Sequence, residues 1–332
     1  MVGCKMSKIA ITTGDPNGIG AEITIKALNK LDLPLEDIVL VSNKKILDYY
    51  GKLNKGYEII EIPFYSEIEP GEVKTECGEF SFQSVKKACE IGARAIVTAP
   101  VAKNSLYMAG HKFNGQTEIL QKYLAHGNQL AEMLFLANNF RVLLLTRHVA
   151  LKDISLTKEL VVEKVLNLKE FFRQHFKIEN PKFALCGFNP HAGEDGILGR
   201  EEIEILNPAV EELHKAGVDI TKPLPADMLF VEAAREYICH CEGIEQLSQA
   251  PNNEIAVSNL RFSRKDSFDC YIANYHDQGL IPIKTVAGDK TVNMTIGLDI
   301  IRTSPGHGTA FDIAGKNIAD EAGMIEAIKA VL

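Results

Sequence analysis

The sequence predicts an α/β protein, and three observations carry that reading. The chain has 332 residues, enough for about two domains at ~150 residues each. Hydrophobic residues make up 46% and charged residues 24%, the proportions of a globular protein. Short β-branched or aliphatic runs alternate with longer segments of helical period, the pattern of a mainly parallel sheet with crossover helices. In chain order the strands are expected at residues 9–12, 38–42, 57–62 and 95–99, then at 133–136, 141–146, 182–186 and 270–274. Helices are expected at 21–31, 45–51 and 81–92, and a longer one at 157–176. In that last segment Val161, Val165, Leu168 and Phe172 recur at intervals of four, three and four, with Lys158, Glu163, Lys169 and Arg173 on other faces. His175 closes it and reads as a favourable cation at a helix C-terminus.

Composition excludes several classes of function. No apolar run approaches the ~20 residues that cross a bilayer, so no membrane span is expected. The first eight residues lack the apolar core and cleavage site of a secretory leader, which makes cytoplasm the default. The net charge of −8 comes from 36 basic and 44 acidic residues, interleaved and not gathered into a stripe, which disfavours nucleic acid as a partner. Seven cysteines, Cys4, Cys77, Cys89, Cys186, Cys239, Cys241 and Cys270, are odd in number and widely spread, as suits reduced thiols. The triplet Cys239, His240 and Cys241 has no second ligand pair at zinc-finger spacing.

Three histidines share one context. His148, His191 and His276 each follow the end of an apolar strand. Carboxyl ends of strands line the ligand crevice of open α/β sheets, so three imidazoles delivered there can converge on a divalent metal and leave a coordination position for a substrate oxygen. Polar loop residues are the competing explanation. The remaining histidines, His111, His126, His214, His240 and His307 among them, lack this grouping. The turn Thr13-Gly-Asp-Pro-Asn-Gly-Ile-Gly20 joins the first strand to the first helix, but its glycines do not match G-x-G-x-x-G. It is either a crevice loop or a tight connection that needs positive φ at glycine. Lys284, Asn293 and Arg302 are embedded in largely apolar runs. Burying a cation without a partner costs several kcal/mol, so either an anionic ligand or structural salt bridges should meet them.

Several motifs in one order then become recognisable: Thr12-Thr-Gly-Asp-Pro-Asn-Gly-Ile-Gly20, Ala99-Pro-Val-Ala-Lys103, Cys186-Gly-Phe-Asn-Pro-His-Ala-Gly-Glu194, Pro225-Ala-Asp-Met-Leu-Phe230, Tyr275-His-Asp-Gln-Gly279 and Arg302-Thr-Ser-Pro-Gly-His-Gly-Thr-Ala310. Over nearly the whole chain the sequence resembles the 4-hydroxythreonine-4-phosphate dehydrogenases of vitamin B6 biosynthesis, relatives of the isocitrate and isopropylmalate dehydrogenases. The resemblance implies two α/β/α lobes with mainly parallel sheets flanking a central cleft. It implies a homodimer with the active site at its interface. A discontinuous NAD-binding lobe is expected at 1–125 plus 290–332, and a metal, substrate and dimerisation lobe at 126–289.

Carried over residue by residue, the resemblance makes His148, His191 and His276 metal ligands contributed by both subunits. It makes Thr117, Lys284, Asn293 and Arg302 substrate contacts, and Asp227 lines the same cleft. The loop from His307 to Asn317, with Gly308, Thr309 and Asp312, should hold the adenosine part of NAD, or of NADP. One departure stands out: where the family pattern is Gly-His-Thr, this chain has Gly115-Gln116-Thr117, an amide that can donate a hydrogen bond to phosphate but carries no charge. The implied reaction is oxidation of 4-phosphooxy-L-threonine to a β-keto acid that loses carbon dioxide. Lys103 and Asp277 are the candidate proton acceptors, and zinc, cobalt, nickel, magnesium or manganese would serve as the metal. Three alternatives stay open: a sister dehydrogenase of phosphorylated threonate or erythronate or of an aromatic cis-dihydrodiol acid, a non-catalytic metabolite-binding protein, and a phosphate-acetyltransferase-like enzyme.

Overall fold

In the computed structural model, described for residues 8–127, 129–241 and 267–332, strands and helices alternate along the chain. The order is β1 (Ile9–Thr12), α1 (Gly20–Leu31), β2 (Ile38–Ser42), α2 (Lys44–Tyr50), β3 (Glu58–Glu61), α3 (Thr75–Glu90), β4 (Ala95–Thr98), α4 (Lys103–Met108), α5 (Gln116–Leu124) and β5 (Glu132–Ala137). Then come β6 (Phe140–Leu144), α6 (Lys158–Phe171), β7 (Lys182–Leu185), α7 (Asn207–Lys215), β8 (Asp219–Ile220), α8 (Ala226–Cys241), β9 (Cys270–Ala273) and α9 (His276–Ala287). The chain ends with β10 (Val292–Ile296), β11 (Ile301–Pro305) and α10 (Ala322–Lys329). No helix among the described residues is long and apolar enough to cross a membrane. The side chains of Cys239, His240 and Cys241, and all of Cys4, lie outside the described residues.

The chain divides into two compact units, residues 1–133 with 289–332, and residues 134–288. In the first, strands run in the order β3-β2-β1-β4-β11-β10. All neighbours are parallel except β10, which lies antiparallel to β11. β1, β2 and β4 are buried along their whole length, as parallel strands covered on both faces must be. One face of this sheet, carrying Ala10, Val39, Val41 and Ile96, packs on Phe80, Val85 and Ala88 of α3 and Ile119 and Leu120 of α5. α3 begins at Thr75, six residues before the helix expected from residue 81, because buried Cys77 and Phe80 extend its apolar face backwards.

In the second unit the order is β5-β6-β9-β7-β8, with β5 antiparallel to β6 and the other pairs parallel. The long helix expected at 157–176 is α6 plus one widened π turn over Phe172–Phe176. Thr157 caps its start by accepting a hydrogen bond from Leu160 N. His175 corrects the sequence reading. Its ring centroid lies 4.6 Å from that of Phe171, and partial desolvation, with Lys177 nearby, holds its pKa below the ordinary 6.5, so it is a poor helix-terminal cation. Lys284 needs a second correction: the run around it is helical, so Leu280, Ile283 and Ala287 face inward while Lys284 is exposed. The argument from the cost of burial therefore does not apply to it.

Candidate active site

The first unit concentrates the anion-binding candidates. In the β10–β11 ladder Asn293 pairs with Ser304, and Thr295 with Arg302. Directly opposed residues share a face, so Asn293, Thr295, Arg302 and Ser304 form one polar patch. Arg302 lies beside Ile96 of β4. Its Nε and Nη2 donate to Thr98 Oγ1 at 2.8 and 2.6 Å. The residue is only 3% exposed, and burial pushes its pKa down to about 10. Among the described residues no carboxylate forms an ion pair with it and the Thr98 hydroxyl is its hydrogen-bond partner, while the Glu118 carboxylate acts on it from farther away and favours its charge. Of the two explanations open at the sequence level, a structural salt bridge to Arg302 is not present among the described residues. Thr98, which holds the guanidinium, was not foreseen, since a threonine ending a strand carries no signal of its own.

Gln116 and Thr117 open α5 and are both buried. Gln116 Nε2 donates to Ala99 O at 3.1 Å, one residue beyond Thr98. Its Oε1 is buried with no hydrogen-bond partner among the described residues, as is Asn293 Oδ1. The amide thus has a donor engaged with the backbone and an acceptor unengaged, which changes what this position offers a ligand. Lys103, at the start of α4, is exposed.

The glycine-rich turn and the loop from His307 to Asn317 meet. Ile19 N donates to Thr309 O at 3.1 Å, which supplies an acceptor for an N–H of the α1 start that has no side-chain cap. Gly14 has φ of 71°, the left-handed conformation anticipated for a tight connection. Asp312 and Asn317 are exposed, His307 is half-buried, and space beside Gly308 is open. This loop can accept a ligand without displacing core side chains.

The second unit carries the histidines. His148 follows β6 and His276 opens α9; their ring centroids are 5.6 Å apart. His276 Nδ1 donates to Asp277 Oδ1 at 2.7 Å, which in the neutral ring leaves the lone pair on Nε2, the arrangement that orients ligating histidines. His191 is exposed at the tip of the loop after β7, where residues 191–195 all have positive φ. That loop is held by Asn189, whose N and Nδ2 donate to buried Glu202 at 2.8 and 2.9 Å. No group of three His, Cys, Asp or Glu residues among the described ones is arranged to hold a metal. The neighbouring His148 and His276 imidazoles have the donor chemistry that a divalent cation takes. Asp227 is exposed in the first turn of α8. The preceding Leu224 accepts from Gly187 N at 2.7 Å, so α8 starts beside the base of the His191 loop.

Comparison with known proteins decides the family. The model of the family described as pyridoxal phosphate biosynthetic protein PdxA matches residues 8–331. This chain belongs to the PdxA family. Among PdxA relatives, the 4-hydroxythreonine-4-phosphate dehydrogenase of Sulfurihydrogenibium sp. is 36% identical, over 98% of this chain and 97% of its own. A protein of Oceanobacillus iheyensis named provisionally as a D-threonate 4-phosphate dehydrogenase is also 36% identical, over 96% and 95%. The crystal structure of 4-hydroxythreonine-4-phosphate dehydrogenase from Klebsiella pneumoniae superposes with a TM-score of 0.77 at 30% identity, covering 98% of both chains.

Proposed function

We propose that this chain is an NAD-dependent, divalent-metal-dependent dehydrogenase of pyridoxal phosphate biosynthesis. It oxidises 4-phosphooxy-L-threonine to 2-amino-3-oxo-4-phosphooxybutanoate, which loses carbon dioxide to give 3-amino-2-oxopropyl phosphate. The observation that carries this reading is the buried Arg302 guanidinium, which forms no salt bridge among the described residues, set beside Asn293 in a PdxA-family chain.

Arg302, Asn293, Thr117 and Lys284 receive the phosphate, Arg302 through its planar fork. Gln116 accepts a hydrogen bond from the substrate's ammonium or hydroxyl, and Asp227 lines the site. His148, His191 and His276 hold the cation, and a second copy of the chain supplies the part of the set that one copy lacks. The loop from His307 to Asn317 holds the dinucleotide, where the Asp312 carboxylate suits a ribose diol and repels a 2′-phosphate, favouring NAD over NADP. When bound, NAD takes the hydride, and the cation lowers the pKa of the alcohol and offsets the charge that develops on decarboxylation. Lys103 accepts the hydroxyl proton as the carbon–hydrogen bond breaks and the carbonyl forms. Asp277, already engaged with His276, orients that ring. The buried thiols of Cys77, Cys89, Cys186 and Cys270, none in a disulfide, suit a cytoplasmic protein.

A second reading, oxidation of a 4-phosphorylated threonate, is favoured by the Oceanobacillus relative and by Gln116, whose acceptor oxygen serves a 2-hydroxyl as well as a 2-ammonium. One experiment separates them. Protein stripped with chelator is given back magnesium, manganese, zinc, cobalt or nickel, and NAD reduction is followed with each substrate. Turnover of phosphooxythreonine at least tenfold more efficient supports the first reading; the reverse ratio supports the second, and no NAD reduction with either defeats both.

A further inference from the structure

The three histidine-bearing strand ends are tied together by a pair of amides that no part of the mechanism above uses. Asn274, the residue after β9, is fully buried. Its carbonyl oxygen accepts from both N and Oγ1 of Thr146, at 3.1 and 2.7 Å, which fixes the segment leading to His148. Its Nδ2 donates to Cys186 O at 2.9 Å, at the end of β7. Its N and Nδ2 both donate to Gln278 Oε1, at 2.7 and 3.1 Å. Gln278 Nε2 in turn donates to Gly187 O at 2.7 Å. Gly187 underlies the His191 loop so closely that a Cβ there would lie 2.8 Å from Ala192 Cα. Asn274 and Gln278 lie two residues either side of His276, so one short segment bonds to the stems of both other histidines.

Asn274 also leaves its own Oδ1 buried without a partner among the described residues. A buried carbonyl left unsatisfied is costly, so its persistence marks an amide whose donor end is needed for two acceptors at once.

We propose that Asn274 and Gln278 are positioning residues that set the mutual placement of the His148, His191 and His276 segments and thereby the affinity of the site for a divalent cation. This rests on the reading of those histidines as ligands, and the test is built so that the two can fail separately. Gln278→Met keeps the volume and removes the hydrogen bonds; Thr221→Val is the control, since Thr221 Oγ1 accepts from Leu185 N within β7, outside residues 187–196 and the Asn274–Gln278 bonds. Amide hydrogen exchange of the metal-free full chain judges the brace itself. Exchange in residues 187–196 should rise at least tenfold in Gln278→Met and stay at the wild-type level in Thr221→Val. Manganese affinity, read by chelator competition, should fall about 10- to 100-fold in Gln278→Met alone, as for other groups that orient metal ligands. Unchanged exchange in 187–196 in a cooperatively folded Gln278→Met overturns the brace. Raised exchange with unchanged manganese affinity overturns its role at the site. If wild type binds no manganese or other divalent ion, the ligand reading falls and the affinity claim with it.

Discussion

At the scale of single residues, Arg302 separates a ligand-binding role from a structural one. A buried charge that stabilises the fold does so through a partner, and removing it is costly; a buried charge without a counter-ion is itself a cost, and an apolar residue of similar volume is neutral or better. Among the described residues Arg302 bonds to the Thr98 hydroxyl and forms no salt bridge, with the Glu118 carboxylate acting on it only from farther away. Arg302→Met is therefore expected to unfold at the wild-type temperature or slightly above it. It should lose the thermal shift that inorganic phosphate gives wild type, and KM for the phosphorylated substrate should rise about 100-fold, the worth of two charge-assisted hydrogen bonds. Differential scanning calorimetry with and without phosphate, beside steady-state kinetics, checks all three. A clear loss of stability without ligand would show that the guanidinium serves the fold.

At the scale of elements, the end of α6 gives a pH dependence. His175 titrates below its ordinary 6.5 in the folded chain because it is partly desolvated and lies near Lys177. Below pH 6.5 the unfolded chain therefore binds the proton more readily. The stabilisation is complete above 6.5 and is lost as pH falls through the folded pKa. Urea melts between pH 7.5 and 5.5 should show a smaller loss of stability in His175→Gln than in wild type, and parallel losses would show that His175 does not contribute. The same helix shows what the sequence made legible. Its span followed from the spacing of Val161, Val165, Leu168 and Phe172, and β1 and β2 from unbroken apolar runs, because period and run length are local properties. Lys284 sits in an apolar run whose helical period turns it outward, so its apolar neighbours in sequence did not mean burial. Gln116 was recognised, yet which of its atoms remained unengaged depended on Ala99 O, a contact across 17 residues. Thr98, Asn274 and Gln278 were missed altogether, since an amide or hydroxyl shows its role only through its hydrogen-bond partner.

For the whole molecule, the surface of the second unit and the proposed sharing of histidine ligands between copies lead to one test of assembly. On α8, Met228, Val231 and Ile238 are 58%, 42% and 44% exposed, and their spacing of three and seven residues puts them on one helix face. Ile281 of α9 is 63% exposed, and α9 packs beside α8. Apolar side chains grouped in this way suit an interaction surface, and on the proposed reading its occupant is a second copy sharing the cation ligands, since a two-fold interface returns each contribution symmetrically. Met228→Asp with Val231→Asp places two charges on that face without touching a core side chain. Sedimentation velocity is expected to show a dimer for wild type and a folded monomer for the double variant, with manganese binding lost together with the dimer. A monomer that still binds the cation at wild-type affinity would mean that one chain completes the site by itself, and the shared-ligand arrangement would have to be given up.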